Sequence, residues 1–209
     1  MKRWMLLFVL FLICLNGYSQ NLGIKSNLLY DATSTINLGV EFALSDKLTF
    51  DISMNLNPWA FTQQRLSASG QVRFQHDAII QHWMLQPEMR WWLCEKFNGH
   101  FFGAHLHGGQ FNVGGLTCLP DGWGDADSGI RRNRNEGWFA GAGLLYGYHW
   151  ILSNRLSLEF ALGMGYTYFK YDKYIDYSRV KNPSKDTNRW KMNYFGPTKA
   201  GISVIYMLY

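Results

Sequence analysis

The strongest constraint on the fold is a strict alternation of large apolar residues with small or polar ones. In the stretch RLSLEFALGMGYTYF, every second residue from Leu156 to Tyr168 is large and apolar, and the residues between them are Ser, Glu, Ala, Gly and Thr. A period of two residues indicates a β-strand with two different faces. Residues 156–168, at about 3.3 Å each, make a strand of roughly 43 Å, far longer than an ordinary globular strand. Tilted by about 40°, such a strand is long enough to cross a membrane.

Seven further segments alternate in the same way, and helical periodicity is absent from the long segments. They are NLGIKSNLLYD, INLGVEFAL, LTFDISMNL, HWMLQPEMRWWLC, HFFGAHLHGG, GWFAGAGLLYGYHWI and GISVIYMLY. In the last one we expect Ile202, Val204, Tyr206 and Leu208 to point outward.

The connections between these segments fall into two length classes. Short turns are predicted at 45–47, 95–99 and 152–154, and long polar connections at 58–80, 112–136 and 170–192. The first connection on the long-loop side, 31–35, is the exception and is short. Short turns at one end, long loops at the other and aromatic residues near the segment ends are typical of outer-membrane barrels. The sequence therefore predicts an all-β fold, an eight-stranded antiparallel up-and-down transmembrane β-barrel with short periplasmic turns and long extracellular loops.

Alternation alone also fits a secreted lipocalin-type barrel, in which the apolar face lines a ligand cavity. Two features favour the membrane barrel. The polar face is dominated by Gly, Ser, Asn and oppositely charged residues, which suits the packed interior of only eight strands. The apolar face is too bulky to fit inside such a barrel, so we expect it to point outward.

The N-terminal residues predict export from the cytoplasm. Lys2 and Arg3 precede an apolar run that ends at Leu15, and a small residue, Ser19, follows. This pattern is typical of a signal peptide over residues 1–19, and the run is too short for a membrane anchor, which needs about 20 apolar residues. Residues 20–209 then form one domain with 18 basic and 15 acidic residues, a net charge of +3. The predicted location is the outer membrane, and no basic block suggests nucleic acid.

Four stretches resemble a known family. They are KSNLLYDATSTINLGVEF, LNPWAF, HWMLQPEMRWWLCEKFNGHFFGAHLHGGQFNVGG and YFGPTKAGISVIYMLY, and together they span most of residues 20–209. They are similar to the family of Gram-negative outer-membrane proteins known as domain of unknown function 3575. The resemblance implies a small outer-membrane barrel, sometimes associated with fimbrial gene clusters, and it implies no catalytic or binding residues.

Charged residues on the polar face must pair inside a barrel, because an unpaired buried charge costs several kcal/mol. The predicted interior network consists of Lys25, Glu41, Asp51, Glu88, Arg90, Glu159 and Lys199. Counting outward from the turns places Glu41 beside Asp51 and Lys25 opposite Glu41. The network fits a structural plug of ion pairs, and a narrow pore gated by the breaking of one pair is the alternative.

The motif HLH raises the question of a metal. His105 and His107 share a face about 6.6 Å apart. The same counting places Glu88 near His107 and Arg90 near His105. Two imidazoles with Glu88 as a third ligand are able to bind zinc or copper, but hydrogen bonds inside the barrel explain the pair equally well. We therefore expect no metal and no cofactor.

The long connections are basic. They contain Arg131, Arg132, Arg134, Lys170, Lys173, Arg179, Lys181, Lys185, Arg189 and Lys191. Such residues suit either a rim that meets the phosphates of lipopolysaccharide or an ordinary solvated loop. The expected partners are outer-membrane lipid, lipopolysaccharide and fimbrial or other surface proteins.

Two classes of function fit these observations. The first is a structural, surface-binding or fimbria-associated barrel without enzymatic activity. The second is a lipid A-modifying enzyme, which needs a nucleophile within reach of a base. No G-x-S-x-G motif occurs and no serine motif adjoins the histidines, so we favour the first class.

Cysteine spacing gives a separate expectation. Residues 20–209 contain Cys94 and Cys118, and an even number of cysteines in an exported chain ordinarily suggests a disulfide. The predicted strand over 100–112 places them at opposite ends of the barrel, roughly 30 Å apart, whereas a disulfide needs Cα atoms within about 7 Å. We therefore predict two free thiols.

Overall fold

A computed structural model of the protein describes residues 22–66, 72–116, 133–175 and 185–208. These residues form nine strands and one short helix. The elements are β1 (Leu22–Asn27), α1 (Leu28–Ala32), β2 (Ile36–Ala43), β3 (Leu48–Asn57), β4 (Ala60–Leu66), β5 (Val72–Trp92), β6 (Gly99–Gly114), β7 (Arg134–Ile151), β8 (Leu156–Tyr174) and β9 (Lys185–Leu208). The predicted all-β antiparallel fold is confirmed, and the predicted number of eight strands is wrong.

The strands form one antiparallel sheet that closes into a ring. Successive strands pair along the chain except β3 and β4. β3 pairs instead with β5, and β9 pairs with β1. Leu22 lies opposite Leu208 at this closing contact, and Asn27 lies opposite Ser203. The ring therefore runs through eight strands, from β1 to β3 and from β5 to β9.

The ninth strand arises from an interruption. β3 pairs with residues 82–91 of β5, and β4 pairs with residues 72–79 of the same strand. Between them stands Pro58, which has no N–H to donate to a sheet and therefore breaks the pairing. The two short strands thus share one long partner, and β4 extends one side of the ring beyond β3.

A helix replaces the end of the first predicted strand. We predicted extended structure to Asp31, but β1 ends at Asn27 and α1 follows. The side chain of Asn27 accepts a hydrogen bond from the backbone N–H of Leu29 at 3.1 Å, which satisfies one of the free donors at the start of a helix. The alternation of Leu28 and Tyr30 with their neighbours therefore did not indicate a strand.

The connections differ between the two ends of the ring. Residues 44–47, 93–98 and 152–155 make short turns at one end, which we call the short-turn end, as predicted. At the opposite end, the connections predicted as loops are partly strand, because β5, β7, β8 and β9 extend into them. No helix among the described residues is both long enough and apolar enough to cross a membrane.

The two faces of the ring have opposite character. The outward residues of β5 to β9 are mostly large and apolar, and Leu144 on β7 is 72% exposed. The inward residues are mostly polar, and Arg90 on β5 is completely buried. The expected outward phase of β9 is confirmed, because Gly201 and Ser203 are buried whereas Tyr206 is exposed.

A cluster of apolar side chains fills the interior near the short-turn end. Seven buried residues make this cluster, which we call the apolar plug: Trp92, Phe97, Phe101, Leu145, Ala161, Ile205 and Met207. Phe97 belongs to the turn at 93–98, where its left-handed backbone (φ 59°) accompanies a side chain folded back into the interior. The plug therefore separates the charged interior from the short-turn end.

Candidate functional site

The centre of the interior is a cluster of charged side chains around Arg90. The Arg90 Nη1 atom lies 2.8 Å from Glu41 Oε2 and 2.7 Å from Glu159 Oε2. Its Nη2 atom lies 2.7 Å from Glu88 Oε2, and its Cζ atom lies 4.8 Å from the centre of the Phe101 ring. A single guanidinium thus holds carboxylates from β2, β5 and β8 together, and it rests on the apolar plug.

Lys25 from β1 is the second cation of the cluster. Its Nζ atom lies 2.9 Å from Glu41 Oε2 and 2.6 Å from Asp51 Oδ2. The orientation at Asp51 does not suit a hydrogen bond, and neither carboxylate oxygen of Asp51 accepts one from the described residues. Among the described residues, Asp51 therefore interacts with Lys25 through charge attraction and not through a hydrogen bond.

Lys199 from β9 completes the cluster by contacting Glu88. We call the seven residues the ion network: Lys25, Glu41, Asp51, Glu88, Arg90, Glu159 and Lys199. All seven side chains are buried, and the network contains four carboxylates and three cations. With every group ionised, one negative charge remains uncompensated within the network.

The network contains the residues expected from the sequence, but two strand registers differ from the prediction. Glu41 lies opposite Asp51, as predicted. Lys25 lies opposite Gly39 rather than Glu41, and Glu88 lies opposite His105 rather than His107. Both predicted registers are wrong by two residues. Lys25 still contacts Glu41, because a long side chain reaches a diagonal neighbour on the same face.

A hydrogen-bonded chain joins the network to the apolar plug. The indole Nε1 of Trp92 donates to Thr49 Oγ1 at 2.9 Å, and the Thr49 hydroxyl donates to Glu41 Oε1 at 2.5 Å. The imidazole of His149 packs edge-on against Trp92, with 5.6 Å between the ring centres. The sequence reasoning missed all three side chains, although each lies on the inward phase of its strand, which was the available signal.

The two histidines of HLH lie on the side of the network toward the end opposite the short turns, which we call the long-connection end. His105 Nε2 lies 2.9 Å from Thr198 Oγ1, and His107 Nε2 lies 2.8 Å from Thr167 Oγ1. Their other ring nitrogens have no hydrogen-bond partner among the described residues. The described residues contain no group of three or more His, Cys, Asp or Glu side chains able to hold a metal.

Glycines on β7 make room for these imidazoles. A Cβ atom built on Gly141 would lie 2.4 Å from His107 Nε2, and one built on Gly143 would lie 2.6 Å from His105 Cε1. Both distances are far below van der Waals contact. The glycine row of GWFAGAGLLYGYHWI therefore allows the histidine side chains to lie flat against the wall.

Amide side chains form a further polar layer on β1 to β3. Asn37 donates to Asn55, and Asn57 donates to the hydroxyl of Thr35 at 2.9 Å. Asn27 donates to the carbonyl of Ala200 on β9 at 3.2 Å, across the closing contact of the ring. The inward face thus holds successive layers: the apolar plug, the ion network, and then amides and imidazoles.

The predicted basic loop residues fall into two groups. Arg131, Arg132 and Lys181 lie outside the described residues. Arg134 lies in β7 and pairs with Glu136 at 2.9 Å, and Lys185 lies in β9 and donates to Asp172 at 2.8 Å. This hydrogen bond lowers the pKa of the Asp172 carboxyl and raises the pKa of the Lys185 ammonium.

The cysteine prediction is tested for one residue. Cys94 is a free, exposed thiol in the turn at the short-turn end, as predicted. Cys118 lies outside the described residues. 

These features define the class of protein: a closed ring of antiparallel strands with buried charges inside and exposed apolar side chains outside. The chain belongs to the family described as "Protein of unknown function (DUF3575)", whose model matches residues 5–208. No curated protein matches the sequence. Among solved structures, the NMR solution structure of the E. coli outer membrane protein W is similar, with 9% identity and a TM-score of 0.36, covering 91% of this chain and 98% of that chain.

Proposed function

We propose that the protein is an outer-membrane β-barrel with a permanently filled lumen and a structural or surface-binding role, without enzymatic activity. The observation that carries the proposal is the reversed distribution of polarity. Leu144 and Leu162 are 72% and 60% exposed on the outside, whereas Glu41 and Arg90 are completely buried inside. Water-soluble proteins bury apolar surface and expose charge, so this exterior suits a lipid environment.

The height of the apolar exterior supports the same environment. On β8 the outward residues are apolar or aromatic from Leu156 to Tyr168. Twelve steps of about 3.3 Å at a tilt near 40° give roughly 30 Å along the barrel axis. The apolar band of outer-membrane barrels is about 25 Å tall with aromatic girdles at both edges, so the band is sufficient to span the membrane.

The closure of the ring gives hydrogen-bond partners to the backbone N–H and C=O groups at the strand edges, as a lipid environment requires. Strand edges cannot remain unpaired in lipid, because each free N–H or C=O there costs several kcal/mol. The pairing of β9 with β1 and of β3 with β5 removes the edges of the eight-stranded ring. Together with the predicted signal peptide, this closure supports export and insertion into the outer membrane.

The interior argues for a plug rather than an open channel. The ion network crosses the lumen, since Arg90 on β5 contacts Glu41 on β2 and Glu159 on β8. The apolar plug closes the short-turn end below it. A gated pore would require both layers to rearrange, and a long-lived opening is therefore not expected.

An enzymatic role would need a base and an orienting group beside the nucleophile. His107 is hydrogen-bonded to the hydroxyl of Thr167, but its Nδ1 atom has no carboxylate partner among the described residues. The pair is also buried inside the lumen. We therefore infer that the extracellular loops, which would meet a fimbrial or other surface partner, carry the biological role.

Fractionation and gel mobility test the proposal. The protein should be recovered with outer membranes, and the unboiled form should migrate faster on gels than the boiled form. Recovery as a soluble periplasmic protein would contradict the barrel. In planar bilayers the purified protein should show no sustained conductance, and steady ion current would contradict the plugged lumen. Mass spectrometry of lipid A from a deletion strain should match the parent, whereas altered acylation would favour the enzyme.

A further inference from the structure

Three strands carry an unusual cluster of positive charge on their outward faces, just beyond the aromatic residues. Successive rows across β7, β8 and β9 place Trp138 opposite Lys170 and Lys170 opposite Lys191. Both lysines were predicted to lie in a long loop, but they lie in paired strands. Two like charges directly opposite each other destabilise a sheet unless something compensates them.

The neighbouring acids provide only part of this compensation, because Asp172 attracts Lys170 and Arg189 but also pairs with Lys185. The next row contains Glu136, Asp172 and Arg189, and the row beyond it contains Arg134 and Lys185. Glu136 accepts a hydrogen bond from Arg134, and Asp172 accepts one from Lys185. On these outward rows five cations therefore face two acids, and both acids are already engaged.

The height of the lysine pair matches the edge of the proposed membrane. Lys170 is the first charged residue on the outward face of β8 above Leu156, and it follows the aromatic residues Tyr166 and Tyr168. The Tyr168 and Trp138 rings pack together with 5.7 Å between their centres. Aromatic belts lie at the level of the lipid headgroups, so the lysine pair is expected at the level of the phosphates.

Among the side chains that the structure describes at this height, the positive charge lies on β7, β8 and β9. At the corresponding height, the outward residues of β5 and β6 are Gln81, Gln110 and Asn112, which pair with one another or with Trp83 and Arg134. A shallow hollow of about 220 Å³ lies beside the lysine pair. It is lined by Trp138, Lys170 and Arg189 and by the two acids Glu136 and Asp172. An evenly solvated rim would not concentrate cations on three adjacent strands.

We propose that Lys170 and Lys191, with Arg189 beside them, bind a phosphate group of lipopolysaccharide in the outer leaflet. The inference rests on the proposed outer-membrane barrel, because that topology places the long-connection end in the lipopolysaccharide leaflet. A phosphate between the two ammonium groups compensates their repulsion and accepts charge-assisted hydrogen bonds from both. The site is external and distinct from the ion network in the lumen.

Lipid titration of the protein in non-ionic detergent micelles tests the site by native mass spectrometry. The lipids are bisphosphorylated lipid A and the same lipid A after dephosphorylation. A basic residue near an anionic lipid surface contributes about fivefold in binding, so the double variant Lys170→Gln, Lys191→Gln should bind bisphosphorylated lipid A about 30-fold more weakly. The control Lys47→Gln, Lys96→Gln removes the same charge at the short-turn end and should bind within about twofold of the parent.

Several results would overturn the site. One is that the Lys170/Lys191 variant binds bisphosphorylated lipid A as tightly as the parent does. Another is that the Lys47/Lys96 control loses as much affinity as the Lys170/Lys191 variant. A third is that the parent binds the dephosphorylated lipid A as tightly as the bisphosphorylated one. Excess inorganic phosphate should not displace the lipid, and displacement would refute a lipid headgroup as the source of the phosphate.

Thermal unfolding without lipid gives a second measurement on the same variants. The Lys170/Lys191 variant should melt at or above the temperature of the parent, because the repulsion between the lysines has been removed. A lower melting temperature would assign the lysines a structural role and overturn the proposal. The gel-mobility shift of the unboiled parent separates the two proposals: its absence refutes the barrel and the site together, whereas a normal shift with unchanged lipid binding refutes the site alone.

Discussion

Removal of Arg90 should destabilise the protein far more than removal of Asp51, although both side chains are completely buried. Arg90 contacts Glu41, Glu88 and Glu159 at 2.7 to 2.8 Å. The substitution Arg90→Met leaves four carboxylates against two cations in the ion network. Breaking a buried pair by removing one partner costs about 3–5 kcal/mol, a large share of a total stability of about 5–15 kcal/mol.

Asp51→Asn should act differently because it removes the uncompensated charge. The Asp51 oxygens accept no hydrogen bond from the described residues, and Lys25 keeps its contact with Glu41 at 2.9 Å. Three carboxylates then face three cations. We expect the free energy of unfolding to change by less than about 1 kcal/mol, because the neutral isostere leaves no buried charge without a partner.

Urea unfolding of the refolded protein in detergent micelles measures both changes, with the gel-mobility shift as the probe of the folded barrel. Linear extrapolation gives the free energy of unfolding, and an unchanged slope shows that the unfolding transition is comparable between variants. Lys96→Met removes a partly exposed cation 4.0 Å from Asp46 and should cost less than about 1 kcal/mol. Equal losses for Arg90→Met and Asp51→Asn, or a loss below 1 kcal/mol for Arg90→Met, would refute an ion network that stabilises through charge balance.

Three further predictions concern other parts of the barrel. Gly141→Ala should lower the melting temperature, because its Cβ would lie 2.3 Å from a backbone oxygen. The control Gly108→Ala should be tolerated, because the nearest atom to its Cβ would lie 3.4 Å away. Equal melting temperatures for the two variants would contradict the close packing at Gly141. Cys94 should react with a membrane-impermeant maleimide only after cells are permeabilised. Labelling of intact cells would show that the short-turn end faces the cell exterior. Brominated lipids should quench Trp91, which is 63% exposed, but not the buried Trp92. The unquenched emission should decrease in Trp92→Phe, and an unchanged unquenched fraction would contradict the buried position of Trp92.

The faces of the strands were predictable from the sequence because side chains alternate strictly along a strand. Once Leu158 and Leu162 point outward, Glu159 must point inward, whatever the neighbouring strand does. The same rule placed all seven members of the ion network on the inward face. Alternation carries no information on how far two strands slide past each other, and the registers were therefore weaker predictions.

The two wrong registers have local causes. The connection after β1 contains α1, capped by Asn27, and this helix shifts the pairing of Lys25 by two residues. The turn at 93–98 includes Phe97, which turns inward with a left-handed backbone. By contrast, the turn at 44–47 is a simple connection, and the predicted pairing of Glu41 with Asp51 is confirmed. Register follows the geometry of the turn, which depends on tertiary contacts.

The apolar plug was not predicted because the inward face was described as polar along its full length, without separating the residues near the short turns. Trp92 and Phe101 lie on the same phase as Arg90 and His105, so their apolar character near the short turns was visible in the sequence. Their contact with Phe97 was not, because Phe97 comes from a turn rather than from a strand. Similarly, β4 was predicted as loop because residues 58–80 are mostly polar and contain a proline.

The closing contact between β1 and β9 determines when the barrel can be completed. Asn27 bonds the carbonyl of Ala200 at 3.2 Å across 173 positions of the chain, and Lys199 reaches Glu88 from the same strand. Until β9 is seated, β1 and β8 each present an open edge, and Glu88 lacks its lysine. Contacts this distant in sequence form slowly, and open edges recruit other chains. The nascent barrel must therefore be kept apart from its neighbours until its last strand arrives, and a chain interrupted before Lys185 should aggregate rather than insert.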